Sequence, residues 1–262
     1  MAGTLQRTRA GWELTNHANF LRYLSAIAAG SAESKLVRRE GVVAAVAPRA
    51  SGRSIFNGVA YEEGAALEAV LDELRDIYRE AGVHAWSVWV PELDRGTADF
   101  LGARGHKHDG TPRAMFCELD AIPEMSSEIE VSRGASWKQV CGINDAAWGY
   151  SEGTYESGMG RRRDSGWRGY VLKHAGFPAA ALATAIEGED CCVYLVGTVP
   201  EARGRGLAGA LLQRALLDAR ERGARTSTMQ SSAMGAGVYR RLGYRDLGGL
   251  ELWEQRTASP AG

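Results

Sequence analysis

Residues 196–208, Val-Gly-Thr-Val-Pro-Glu-Ala-Arg-Gly-Arg-Gly-Leu-Ala, make a strand stop and a helix start around two closely spaced glycines. An apolar, β-branched run over 191–199 predicts a buried strand. Pro200 ends it, because proline has no N–H to give a sheet ladder. Gly204 and Gly206 then permit a tight turn and close approach of backbone to a ligand. Leu207, Leu211, Leu212, Ala215 and Leu216 recur at helical spacing and predict a helix over 207–222. A helix starting at such a loop offers unpaired N–H groups and the positive end of its dipole to an anion. Arg203 and Arg205 add positive charge there. Turn geometry alone would account for a lone G-x-G, so the flanking pattern carries the weight.

The loop reads Arg203-Gly204-Arg205-Gly206-Leu207-Ala208, which fits R-x-x-G-x-A. Further on, Tyr239, Gly243 and Tyr244 fit Y-x-x-x-G-aromatic. No Gly-Lys-Ser/Thr follows the loop, so it is not the phosphate loop of nucleotide-hydrolysing enzymes. In this order the two motifs resemble the GNAT superfamily of acyl-CoA-dependent N-acyltransferases. That resemblance implies an α/β fold, with a mixed central sheet flanked by helices. It implies acetyl-CoA as acyl donor and direct attack of a primary amine on the thioester. It assigns the pyrophosphate to the backbone of Gly204, Arg205, Gly206, Leu207, Ala208 and Gly209, with Arg203 and Arg205 as charge support. The pantetheine arm is assigned to the strand end at Val196 and Thr198, and the carbonyl oxygen to a backbone N–H near Thr198. The leaving thiolate is assigned to Tyr239. The family often has an asparagine seven residues before that tyrosine; here the position is Ser232, a weaker cofactor contact.

The second half continues the expected order of elements. Strands are predicted over 129–132, 169–174, 179–187, 226–230 and 249–253, and helices over 137–148 and 235–242. The first half repeats much of this. Helices are predicted over 16–29 and 63–81, and strands over 42–46, 54–60, 85–90 and 113–119. Gly105-His106 parallels Gly243-Tyr244, and the proline- and serine-bearing stretch 120–127 reads as a linker. We therefore expect two tandem GNAT-like domains, residues 1–122 and 123–262. The first is degenerate. Its loop carries Glu62 and Glu63 in place of arginines, and Leu101 aligns with Tyr239. A carboxylate and a phosphate ~6 Å apart repel by about 2–3 kcal/mol at an effective dielectric near 20.

Composition bears on partners. A net charge of −1 argues against a general binder of nucleic acid or of membrane surfaces. No apolar run approaches a membrane span, and the N-terminus lacks a secretory core. Cys117, Cys141, Cys191 and Cys192 have neither disulfide nor metal-site spacing and read as buried thiols of a cytoplasmic protein. No metal is expected. The general base is not legible. Glu152 and Glu156 are candidates; Glu187, Glu189 and Asp190 read as a solvated hairpin, and His174 as a strand residue. The stretch 149–168 reads as an irregular acceptor loop, and its Arg161-Arg162-Arg163 run as a solvated face or an anion contact. The acceptor is a small-molecule amine or a protein amine, and the oligomeric state is open between monomer and homodimer. A non-catalytic acyl-CoA-binding or partner-binding module is the alternative function.

Overall fold

The computed structural model describes residues 9–123, 130–160 and 166–257. The triple arginine and much of the expected linker lie outside these. The described residues form two compact units. The N-terminal unit takes 20–112, 157–160 and 248–257; the C-terminal unit takes 9–19, 113–123, 130–156 and 166–247.

The chain opens with helix α1 (Arg9–Ala28) and the strands β1 (Lys35–Arg39), β2 (Val42–Val46) and β3 (Gly58–Tyr61). Helix α2 (Gly64–Glu80), β4 (Ala85–Pro91), α3 (Arg95–Ala103) and β5 (Lys107–Gly110) follow. In the N-terminal unit β1, β2 and β3 pair antiparallel, and β3 then meets β4 in parallel through Gly58↔Ser87 and Val59↔Val88. Leu67, Leu71, Leu74 and Tyr78 repeat at helical spacing and lay α2 on this sheet, against Val59, Trp86 and Val88.

The C-terminal unit is built from β6 (Arg113–Glu118), β7 (Val131–Ala135), α4 (Trp137–Trp148), the first half of α5 (Thr154–Met159), β8 (Trp167–His174), β9 (Phe177–Glu187) and β10 (Asp190–Thr198). After these come α6 (Leu207–Glu221), β11 (Thr226–Ser231), α7 (Ala233–Arg241) and the first residues of β12 (Arg245–Arg256). Its strands lie in the order β6-β11-β10-β9-β8-β7, with β10 and β11 parallel and the other neighbours antiparallel. Strand alternation separates two cores. Ala180 and Leu182 of β9 join Tyr170, Val193, Leu211 and Leu216 under α6, whereas Ala181 and Ala183 join Val140, Ile143 and Val199 under α4. All four cysteines are buried thiols, none of them in a disulfide.

Three departures from the sequence reading have identifiable causes. The polar strands β1 and β5 lack the apolar alternation that marks a half-buried strand. The stretch 149–168 is not wholly irregular, since it contains α5. The Asp145 carboxylate sets that helix by accepting the N–H groups of Gly153 (2.8 Å) and Tyr155 (2.9 Å). Finally, the compact units do not divide at 122/123. The closing strand of the first half, β6, pairs with β11 from Thr226↔Glu118 to Ser231↔Arg113. The outer part of the last strand pairs with β4, from Leu250↔Pro91 to Arg256↔Ala85. Each compact unit is thus closed by a strand from the other half of the sequence.

Candidate active site

The sheet of the C-terminal unit opens at the end of β10. Parallel pairing with β11 runs only from Asp190↔Thr226 to Cys192↔Thr228. On its other edge the ladder with β9 jumps from Tyr194↔Ala183 to Gly197↔Ala181. Leu195 and Val196 therefore oppose the single residue Leu182, which is a β-bulge. Leu195 takes the left-handed backbone at φ 54°.

Past Pro200 the loop turns through Gly204 and Gly206, both at φ 75°. A Cβ at either would meet nothing within 4 Å, so the left-handed backbone rather than crowding is what demands glycine. Gly206 is the N-cap of α6 and supplies no side-chain cap, and no acidic residue stands in the first turn. By contrast Ser136 and Gln139 form a full capping box on α4, and the Ser232 hydroxyl accepts the Gly235 N–H at 3.2 Å on α7. The start of α6 thus keeps its dipole end and first-turn N–H groups for another partner.

These groups border a cavity of about 420 Å³. Every residue assigned to the acyl donor from the sequence lines it: Val196, Thr198, Arg203, Gly204, Arg205, Gly206, Leu207, Ala208, Gly209, Ser232 and Tyr239. Sequence reasoning missed Ala147 and Trp148 at the end of α4, and Met234, Val238 and Arg241 on α7. Trp148 and Met234 stand exposed at 43% and 67%, and no motif marks them. Among the described lining residues there is no carboxylate and no histidine.

The two loop arginines differ. Arg203 donates through Nε to the Thr198 carbonyl (3.2 Å) and through Nη2 to the Ala147 carbonyl. Its guanidinium is a clasp between the loop, the end of β10 and the end of α4. Arg205 is exposed beside the glycines and lines the same cavity. Tyr239 is 6% exposed, and Gly235 allows the close packing: a Cβ there would sit 2.8 Å from the tyrosine Cε2 and 3.1 Å from its hydroxyl. Burial raises the phenol pKa well above its ordinary value, so the hydroxyl is a neutral donor at physiological pH.

None of the proposed bases lines the cavity. Glu152 is exposed and Glu156 half-buried on the α5 segment, and His174 lies at the far hairpin. Asp190 is not solvated, as its hairpin position suggested. It is buried, and it accepts the hydroxyls of Thr226 (2.8 Å) and Thr228 (2.5 Å). Burial raises its pKa and the two hydroxyls lower it, with a net rise.

At the corresponding helix start of the N-terminal unit, the described side chains crowd together. A Cβ at Gly64 would come within 2.5 Å of Thr97 Oγ1. Asp94 accepts the Tyr61 hydroxyl (2.7 Å) and the Thr97 N–H (3.1 Å), and Leu101 is fully buried in the core. Side chains occupy the space beside this helix start.

Comparison with known proteins agrees with this geometry. Residues 191–246 match the model of the acetyltransferase (GNAT) domain. The chain resembles the solved GCN5-related N-acetyltransferase of Kribbella flavida, at 18% identity and a TM-score of 0.64, over 92% of this chain and 95% of that one. It also resembles a tandem GNAT protein from the clavulanic acid biosynthesis pathway, at 14% identity and a TM-score of 0.54, over 94% and 96% of the two chains. A third likeness is to the GCN5-related N-acetyltransferase of Sphaerobacter thermophilus, at 19% identity and a TM-score of 0.59, over 82% and 76%. No curated protein matches the sequence. The matched segment runs from the opened strand through the glycine loop to the tyrosine helix, so residues 191–246 are similar to a GNAT acetyltransferase domain, on a chain with the fold of the GCN5-related N-acetyltransferases.

Proposed function

We propose that the C-terminal unit transfers an acetyl group from acetyl-CoA to a primary amine of a small molecule or a protein. The observation that carries this is the uncapped start of α6, with its two left-handed glycines, in one cavity with the unpaired edge of β10. The residues present suit acetyl-CoA. Free N–H groups and Arg205 favour a pyrophosphate. The edge of β10 at Val196–Thr198, beyond its pairing with β11, favours the amide-bearing arm, which can pair as an added strand does. Transfer makes a C–N bond and breaks the C–S bond; the amine sheds a proton and the thiolate gains one. A backbone N–H near Thr198 supports the carbonyl oxygen as charge gathers on it. The neutral Tyr239 hydroxyl donates to the leaving sulfur.

The N-terminal unit acts as scaffold rather than as a second acetyl-CoA site, since its corresponding space is filled and its loop bears carboxylates. Among the described helices none is long and apolar enough to cross a membrane. Four buried thiols without disulfides favour a reducing cytoplasm.

Calorimetric titration with acetyl-CoA tests the reading. One site per chain is expected, weakened about a hundredfold or more in Gly206→Glu, which disfavours the left-handed turn and sets a carboxylate in the phosphate cradle. A primary-amine screen with free-thiol detection follows. Absence of binding by CoA, acetyl-CoA and longer acyl-CoAs would reject it.

A further inference from the structure

Asn144, on α4, is fully buried. Its amide nitrogen donates to the Val140 carbonyl one turn back (2.9 Å) and to the Leu195 carbonyl in the bulge of β10 (2.8 Å). Two carbonyls on the nitrogen side fix the orientation of the amide, because a flip would set oxygen against oxygen. Its Oδ1 accordingly lies toward Gly197, where it is buried with no hydrogen-bond partner among the described residues. A Cβ at 197 would fall 2.8 Å from that oxygen and 3.1 Å from the Ala147 Cβ, so only glycine lets α4 come this near. The residue that Asn144 grips is Leu195, a leucine held at φ 54°. Leucine disfavours that backbone, and a conformation of this kind persists only where its surroundings over-determine it. Val196 of the bulge, and Gly197 and Thr198 directly beyond it, line the cavity.

We propose that Asn144 is a positioning residue for the acyl donor. Its bond to the Leu195 carbonyl holds the bulge, and the bulge presents the free edge at 196–198 to the thioester-bearing arm. The proposal rests on the acetyl-CoA reading above and adds a residue that none of the motifs contains. Asn144 touches neither the pyrophosphate cradle nor the cavity itself. It therefore governs the arm and leaves phosphate binding alone.

Titration of the full chain with two probes tests this without an identified amine. Acetyl-CoA fills both the cradle and the groove, whereas ADP carries the pyrophosphate and lacks the arm. In Asn144→Ala the acetyl-CoA affinity falls about tenfold or more, as for a lost buried hydrogen bond, while ADP affinity stays within about threefold. Glycine adopts positive φ freely, so Leu195→Gly removes the need for the grip. The double variant Asn144→Ala/Leu195→Gly recovers acetyl-CoA affinity to within about threefold of the parent, although it melts lower. If Asn144→Ala does not fold, Asn144→Asp keeps the volume, sets an oxygen against the two carbonyls, and is read the same way. Equal weakening of both probes, no weakening of either, or no recovery in the double variant overturns the proposal. A parent chain that does not favour acetyl-CoA over ADP instead overturns the acyl-donor reading, and this proposal with it.

Discussion

Tyr239 and His106 are both buried titratable groups, and burial pushes each toward its neutral form. For Tyr239 that form is the proton donor that the proposed reaction calls for. Tyr239→Phe should lower kcat by about a hundredfold and leave the acetyl-CoA Kd nearly unchanged, as rates and titration together would show. His106 of the N-terminal unit is 3% exposed and sits edge-on to Trp86, with neither ring nitrogen hydrogen-bonded among the described residues. Desolvation first, and the Arg75 charge second, lower its pKa to about 4. Below its ordinary pKa the unfolded chain takes up a proton that the folded chain refuses. Stability is therefore lost as pH falls from about 6.5 toward 4, by on the order of 3 kcal/mol in full. Urea melts of the parent and His106→Phe across that range should show a steeper acid loss in the parent. Equal slopes would remove His106 as the cause. Tyr239 was legible because it stands in a motif, whereas the environment of His106 was not, because its neighbours come from separate elements.

At the scale of elements, the hairpin between β8 and β9 closes through Ala175 and Gly176, at φ 50° and 85°. Two positive φ values make this a primed turn, which suits glycine and asparagine but not alanine. Ala175→Gly should stabilise the chain by about 1 kcal/mol, raising the urea midpoint without changing the m-value. An unchanged midpoint would mean that the gain in native backbone freedom is cancelled by a freer unfolded chain. The strands and helices around the cavity were legible because local rules write them. Leu207 to Leu216 repeat at helical spacing and Pro200 stops a strand, whereas Ser232, read as a cofactor contact, proves also to cap α7. The clasp made by Arg203 was not legible. Sequence reasoning gave its charge to a phosphate, and the fold adds bonds to two carbonyls, since only the approach of α4 to β10 puts those acceptors within reach.

For the whole molecule, the exchange of closing strands sets the limits of independence. Residues 1–122 expressed alone lack the strand that pairs with β4, and residues 123–262 alone lack the strand that pairs with β11. Each half would expose an unpaired edge beside its core. Neither should give a cooperative urea transition or dispersed amide resonances, while the two expressed together should recover both. A cooperative, soluble half would refute this. Local sequence already specified the strand-loop-helix that builds the cradle, much of the order of elements in both halves, and the lack of arginines in the first loop. These follow from periodicity, turn residues and charge, which act over a few neighbouring positions. The tertiary structure decided which strand closes which unit, that Asn144 meets a bulge at Leu195, and that Thr97 fills the space at Gly64. Those depend on which edges and faces find each other across long stretches of chain, and no local pattern records that pairing.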